Sequence, residues 1–230
     1  MKLIRLFCGI VATALLFGCG GGGGGTPAVP TQAGTSVSLA TAKAFQTGTA
    51  AAGSQLSFTL TGSDTQGGAW SGSFAIVSDG ATTFEGQAVT KARSLTTLTR
   101  TSSGASVTGS TSSYFLVSDG SLYKTVDSFN VTGTPTSQTA VPDSAKVGDS
   151  GNLWNITYSD GSSSSSTWKL EPEFNGNTKL TSSTTTIEAS NAVSSTEEQS
   201  IYLDANGNPF KFDEKVTVSG VTVSLTGNKQ

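Results

Sequence analysis

The chain of 230 residues contains no histidine and only two cysteines, Cys8 and Cys19. Without imidazole there is no Ser-His-Asp triad, no Cys-His pair and no histidine-ligated zinc or haem. Asp, Glu, Lys, Tyr, Ser and Thr remain as chemical groups. Two S-x-x-K spacings occur, Ser121 with Lys124 and Ser166 with Lys169. On a helix such a spacing puts serine and lysine on one face, as serine-lysine enzymes require. Both stretches carry strand patterning, where residues i and i+3 point to opposite faces. Paired carboxylates could hydrolyse a glycosidic bond without histidine, and Glu171, Glu173, Glu197, Glu198 and Asp204 are available. No pattern places any two of them in a cleft, so the expectation is solvated surface acids, with Glu171 and Glu173 flanking Pro172 toward solvent. The residues therefore assign no catalytic group, no metal ligand and no cofactor, and the chain reads as a protein that is not an enzyme.

The N-terminus is more specific. Lys2 and Arg5 precede an apolar run from Leu6 to Phe17, too short for a permanent membrane span and suited to a secretory signal. The run ends in Leu16-Phe17-Gly18-Cys19, which resembles the lipobox of bacterial lipoproteins; Phe17 stands where a small residue is usual. The resemblance implies cleavage before Cys19, lipid attachment at Cys19 and a membrane partner reached through that lipid. Gly20, not aspartate, follows, which by the same resemblance points to the outer membrane, with the body on its periplasmic face or at the cell surface. Cys8 would leave with the signal and Cys19 would carry lipid, so the mature body holds no thiol and no disulfide.

Gly20 to Gly25 is an unbroken glycine run, followed by Pro27 and Pro30. Such a stretch builds no core and reads as a tether; about 30 flexible residues reach roughly 30 Å. The expected organisation is a signal peptide over 1–18, lipidated cysteine and tether over 19–50, and one domain over 51–230. Charged residues make up 13% of the chain, against roughly 25% in an average globular protein. No basic stripe interleaved with aromatics exists, so nucleic acid is not an expected partner.

In the body, apolar residues alternate with Ser and Thr. Leu56, Phe58 and Leu60 have period two, as do Trp70, Phe74 and Ile76 after the turn from Gly62 to Gly68, the signature of a half-buried hairpin. Asp79-Gly80 reads as the next turn. Weaker strands surround Val89, Leu95 and Leu98, and Tyr114 to Val117 returns through Ser118-Asp119-Gly120-Ser121 into Leu122 to Val126. Trp154, Ile156 and Tyr158 lead through Asp160-Gly161 and a serine run into Trp168 and Leu170. Leu180 to Ala189 is a Thr-rich strand. Ile201 to Leu203, Phe210 to Phe212, Val216 to Val218 and Val221 to Leu225 complete the chain. At an offset of 87, Phe115-Leu116 falls on Tyr202-Leu203, Asp119-Gly120 on Asn206-Gly207, Tyr123-Lys124 on Phe210-Lys211 and Asp127 on Glu214. This suggests tandem copies over 54–126 and 152–214.

The expected fold class is all-β: an antiparallel barrel, half-barrel or sandwich from two halves of about four strands each, behind a signal helix and tether. Asp204-Ala205-Asn206-Gly207-Asn208 resembles the opening of an EF-hand calcium loop. Pro209 and Lys215 occupy the places of its glycine and bidentate glutamate, which leaves a hairpin turn on Asn206-Gly207. Trp70, Trp154, Trp168, Tyr158, Tyr202, Phe210 and Phe212 would build a sugar platform or, as favoured here, the core. The leading functional expectation is a non-catalytic, lipid-anchored envelope protein with a β-rich binding or structural domain, its protein, glycan or apolar partner unspecified. A carrier of an apolar ligand in a barrel-like cavity is the alternative, and a histidine-free carbohydrate-active enzyme trails it.

Overall fold

A computed structural model describes residues 32–190 and 192–230; the signal, Cys19 and the glycine run lie outside them. In chain order the elements are β1 (Ser36–Ser38), α1 (Ala40–Gln46), β2 (Gln55–Asp64), β3 (Ala69–Phe84), β4 (Gln87–Arg100), β5 (Ser106–Leu116) and β6 (Leu122–Asp127). They continue with β7 (Thr132–Gln138), β8 (Ser144–Lys146), β9 (Ser150–Tyr158), β10 (Ser163–Pro172) and β11 (Thr178–Ile187). The last three are β12 (Val193–Leu203), β13 (Pro209–Val218) and β14 (Val221–Lys229).

Twelve strands form one closed barrel, each antiparallel to the next, from β2 round to β14, with β8 left out. The all-β expectation holds in its barrel form. Closure leaves none of these strands as an unpaired edge. The alternation read from sequence sets the polarity of the wall. Leu56, Phe58 and Leu60 are buried inside, while Thr59 and Thr61 beside them are exposed. Ser71, Ser73, Thr97 and Ser224 repeat the exposed hydroxyl pattern on neighbouring strands.

Two interior glycines let the barrel bend. A Cβ on Gly62 would lie 1.9 Å from the Ser224 carbonyl oxygen, and one on Gly72 would lie 1.9 Å from that of Thr97. Only a residue without a side chain allows neighbouring strands to approach this closely at a coiled wall.

Residues 36–50 correct the expected tether, which was drawn to residue 50. β1 pairs with β8 as a separate two-stranded sheet, and α1 follows directly. Val37, Leu39 and Ala42 join the barrel core together with Ala145 and Val147. Their apolar side chains gain more by burial than a solvated leader would. The Leu39 N–H donates to Asp143 O at 2.8 Å and Gly34 N–H to Val147 O at 2.9 Å, which seats this segment over one end of the barrel.

Two local expectations also change. Asp79-Gly80 is a bulge inside the 16-residue β3, with the turn later at Glu85-Gly86. Glycine with positive φ serves a bulge as well as a hairpin turn. Ser163–Ser166 belongs to β10, and Ser164 and Ser166 are buried inside. The expected hairpin about Gly220 is present: Val216 to Val218 ends β13, Val221 opens β14, and the turn between them uses Ser219 and Gly220, both at positive φ.

The two proposed copies each lie within a run of sequential antiparallel strands. The offset of 87 does not preserve faces between β5 and β12. Phe115 points into the barrel, whereas Tyr202 points outward and donates from its hydroxyl to Asp213 Oδ2 at 2.7 Å. The matching cross-strand pairs are Tyr114 with Lys124 and Tyr202 with Lys211, each followed by a register shift.

Candidate functional site

The interior is filled unevenly, and the gap is the candidate site. On the wall of β13, β2 and β3, Phe58, Phe74 and Phe212 stack, with Phe74–Phe212 centroids 4.5 Å apart and Phe58–Phe212 5.3 Å. Strands to either side turn small residues inward: Ala92 and Ser94 from β4, Ser113 from β5, Ser182 from β11. Hydroxymethyl groups cannot reach the centre of a twelve-stranded barrel, whose diameter grows with strand number. A cavity of about 230 Å³ results.

Its inner surface is mostly apolar. Phe74 and Ile76 contribute from β3, Phe115 from β5, Leu153 from β9, Trp168 from β10 and Leu180 from β11. Polar groups interrupt it at a few points, the combination usual for small-molecule sites. Trp154 lines it from β9, and its buried indole Nε1 has no hydrogen-bond partner among the described residues. Gln199 lines it from β12.

The mouth is built by α1, the β5–β6 loop and the segment after β7. Lys43 of α1, Thr47 just after it, Asp119 and Gly120 of the loop, and Ala140 line both the cavity and an outer recess of about 270 Å³. Lys43 Nζ pairs with Asp143 Oδ1 at 2.8 Å beside the outer recess. Gln138 fastens the loop: its Oε1 accepts from Leu122 N–H at 2.7 Å and its Nε2 donates to Leu122 O at 3.1 Å. Aspartate side chains shape two of the loops: Asp119 Oδ1 accepts from Ser121 N–H, and Asp204 Oδ1 from Asn206 and Asn208 N–H.

Behind Gln199 sits a buried acidic pair. Gln199 Nε2 donates to Glu197 Oε1 at 2.6 Å and to Glu214 Oε1 at 3.0 Å. Both carboxyls are enclosed. Burial pushes each above the ordinary carboxyl range, and the proximity of Glu214 raises Glu197 further. Both carboxyls are buried beside the same amide, and Glu197 Oε2 and Glu214 Oε2 have no hydrogen-bond partner among the described residues, so burial favours the protonated form of each. Glu197 thus departs from the expected surface position. The signal was present: Glu197 and Gln199 are in phase with Ile201, and Glu214 with Phe212 and Val216, so period two turns all of them inward.

A second enclosed carboxylate lies at the far end. Asp64 Oδ1 accepts from Gln66 N–H at 2.9 Å and Gly68 N–H at 2.8 Å, and Oδ2 from Trp70 Nε1 at 2.8 Å, with Arg100 Nη2 3.0 Å away. These donors, Gly68 first and Trp70 next, hold Asp64 below its ordinary value against the opposing effect of burial.

The other sequence candidates do not converge. Ser121 lines the cavity, while Lys124 points outward to Glu85 Oε1 at 2.7 Å. Ser166 is inside, accepting from Thr184 Oγ1 at 3.1 Å; Lys169 is outside, paired with Glu171 at 2.9 Å. Glu171 and Glu173 both approach Lys179, at 3.4 and 3.7 Å. Among the described residues no group of three or more acidic, cysteine or histidine side chains is placed to hold a metal ion. Of the aromatic set, Trp70, Trp168, Tyr202 and Phe212 are buried, Trp154 and Tyr158 half-buried, and Phe210 exposed. They form no common outer platform: Phe212 belongs to the core stack, and Trp154 and Trp168 line the cavity. Comparison with protein-family models, curated proteins and solved structures returned no match.

Proposed function

We propose that this chain is a non-catalytic, lipid-anchored protein of the bacterial cell envelope whose barrel binds a small, mainly apolar ligand. The cavity carries the reading: about 230 Å³, walled largely by aromatic and aliphatic side chains, with Lys43 and Asp119 at its mouth. A dry apolar cavity of about 150 Å³ already accepts benzene, so a substituted ring or short chain is the right scale. The anchor rests on the lipobox-like residues ending at Cys19. The wall polarity supports a body held beside a membrane rather than within it. Its outer face carries Ser and Thr and its inside carries Leu and Phe, the reverse of a barrel that meets lipid with its outer wall. The carboxyl pair does not favour hydrolysis, because Gln199 and not Glu197 or Glu214 reaches the cavity wall.

Toluene titrated into the protein is expected to change the emission of Trp154 and Trp168 saturably, and Ser113→Phe, which fills the gap, is expected to abolish the response. A wild-type protein that shows no saturable response refutes ligand binding. Separately, Cys19→Ser is expected to move the protein out of the membrane fraction; unchanged fractionation refutes the lipid anchor.

A further inference from the structure

The two ends of the barrel are not equivalent. At one end the described chain enters: Gly34 N–H donates to Val147 O at 2.9 Å, β1 pairs with β8, and the β12–β13 turn passes so close that a Cβ on Gly207 would lie 2.2 Å from Ser38 O. The β5–β6 and β10–β11 turns close the same end, and the mouth opens there. Antiparallel pairing puts the β2–β3, β6–β7 and β11–β12 connections at the other end. The ten residues of β2 separate the two by about 25 Å at the usual barrel tilt. Twelve residues lie between Cys19 and Gln32, and a glycine-rich chain of that length reaches roughly 20 Å. A lipid on Cys19 therefore holds the entry end, and the mouth with it, beside the bilayer.

Apolar side chains stand on that rim. Val117 of the β5–β6 turn is 56% exposed and Phe174 of the β10–β11 turn 55%, with β7 and β9 between the two hairpins. Val117 also lines the outer recess, which shares Lys43, Asp119 and Ala140 with the cavity. Phe129 and Val193 are exposed at the opposite end, so exposure alone does not select an end; the chain entry and the mouth do. The net charge of −3 gives no attraction to an anionic leaflet, which leaves contact to the apolar groups.

Resting on the lipid-anchor reading, we infer that the mouth-bearing end docks on the surface of the anchoring bilayer, with Val117 and Phe174 entering its headgroup layer, so that the recess takes up its apolar ligand from the membrane. A few apolar side chains hold a free protein to lipid only weakly. The anchor makes the same contact intramolecular, at an effective concentration in the millimolar range. A ligand dissolved in the bilayer then reaches the cavity without passing through water, the costly medium for an apolar molecule.

The test uses the full-length acylated protein in phosphatidylcholine vesicles, with Val117→Cys, Phe174→Cys or Val193→Cys labelled by a polarity-sensitive fluorophore. All three sites are exposed, so the substitutions leave the core untouched. Labels at 117 and 174 are expected to shift to the blue on vesicles and to be quenched by lipids that carry a nitroxide high on the acyl chain. The label at 193 should do neither. Both responses should persist in about 1 M salt, where attraction between charges is screened. In the unlabelled protein, vesicles should slow amide exchange in the β5–β6 turn, and Val117→Ser combined with Phe174→Ser should abolish that protection while the protein still floats with the vesicles. Unshifted labels at 117 and 174 on protein that floats, an equal shift at 193, or a response lost in salt overturns the docking and leaves the anchor standing. Protein that does not float with the vesicles overturns both.

Discussion

The two sides of this barrel are built from similar strands and filled in opposite ways. On β13, β2 and β3, inward positions hold Phe212, Phe58 and Phe74 in a contiguous stack with Leu56 and Leu60 around it. On β4, β5 and β11, inward positions hold Ala92, Ser94, Ser113 and Ser182, and the space between them is the cavity. The seams differ too, from the β3–β4 junction of the two sides to the β6–β7 junction across the open one. β3 and β4 pair along 14 residues from Trp70–Arg100 to Phe84–Gln87. β6 and β7 are joined by two residue pairs, Thr125–Gly133 and Val126–Thr132. The strong side supplies stability and the sparse side supplies room. Packed aromatic surface resists opening, whereas short strands and few apolar contacts belong to the regions that open most easily.

Breaking the packed side should give the largest effect. Phe212→Ala is expected to destabilise by about 3–5 kcal/mol, the usual cost of a large core cavity. Ser113→Ala on the open side should change stability by less than about 1 kcal/mol. Urea unfolding followed by tryptophan emission measures both, and equal losses would erase the distinction. Next in size is Gly72→Ala. Its new methyl would meet the Thr97 carbonyl, and a cost of about 1–3 kcal/mol is expected from overpacking.

The acidic pair lies between the two sides and sharpens the comparison through pH. Glu197 and Glu214 have folded-state values raised above the ordinary 4.5. Their contribution is therefore intact below the unfolded value and is lost as pH rises through the folded one. Asp64 works in the other direction: its lowered value keeps its contribution above the unfolded value and loses it in acid. Urea midpoints taken from pH 5 to pH 9 should decline toward alkali in wild type and decline less in Glu197→Gln. Parallel profiles would show that burial of this pair does not set the pH dependence. Smallest is Lys43→Ala. The partly exposed ion pair with Asp143 is worth less than about 1 kcal/mol, so stability should hardly move. Stopped-flow mixing with toluene should nevertheless show faster association once the Lys43 side chain is removed from the rim shared by cavity and recess; an unchanged rate would show that it does not restrict entry.

Much of the architecture was legible because period two is a local property. Leu56, Phe58 and Leu60 declared which face of β2 is buried, and Asn206-Gly207 declared the hairpin between β12 and β13. The same rule, extended from Ile201 and Phe212, would have turned Glu197, Gln199 and Glu214 inward; their charge argued for the surface and was given more weight than their phase. Asp79-Gly80 and the serine run after Gly161 were misread for a related reason. Glycine and serine satisfy turns, bulges and tight interiors alike, and local sequence does not say which a given position requires.

By itself, then, the chain determined alternating strands, a hydroxyl-rich outer face and the absence of imidazole chemistry, since each follows from residue type and spacing alone. The tertiary structure decided the rest. Closure into twelve strands set a diameter that serine and alanine cannot fill, and that mismatch between wall and side-chain length made the cavity. Seating β1 and α1 over one end gave it a mouth. Bringing β12 beside β13 placed two carboxyls around one amide, an arrangement that depends on which strands become neighbours and so is written in no single segment.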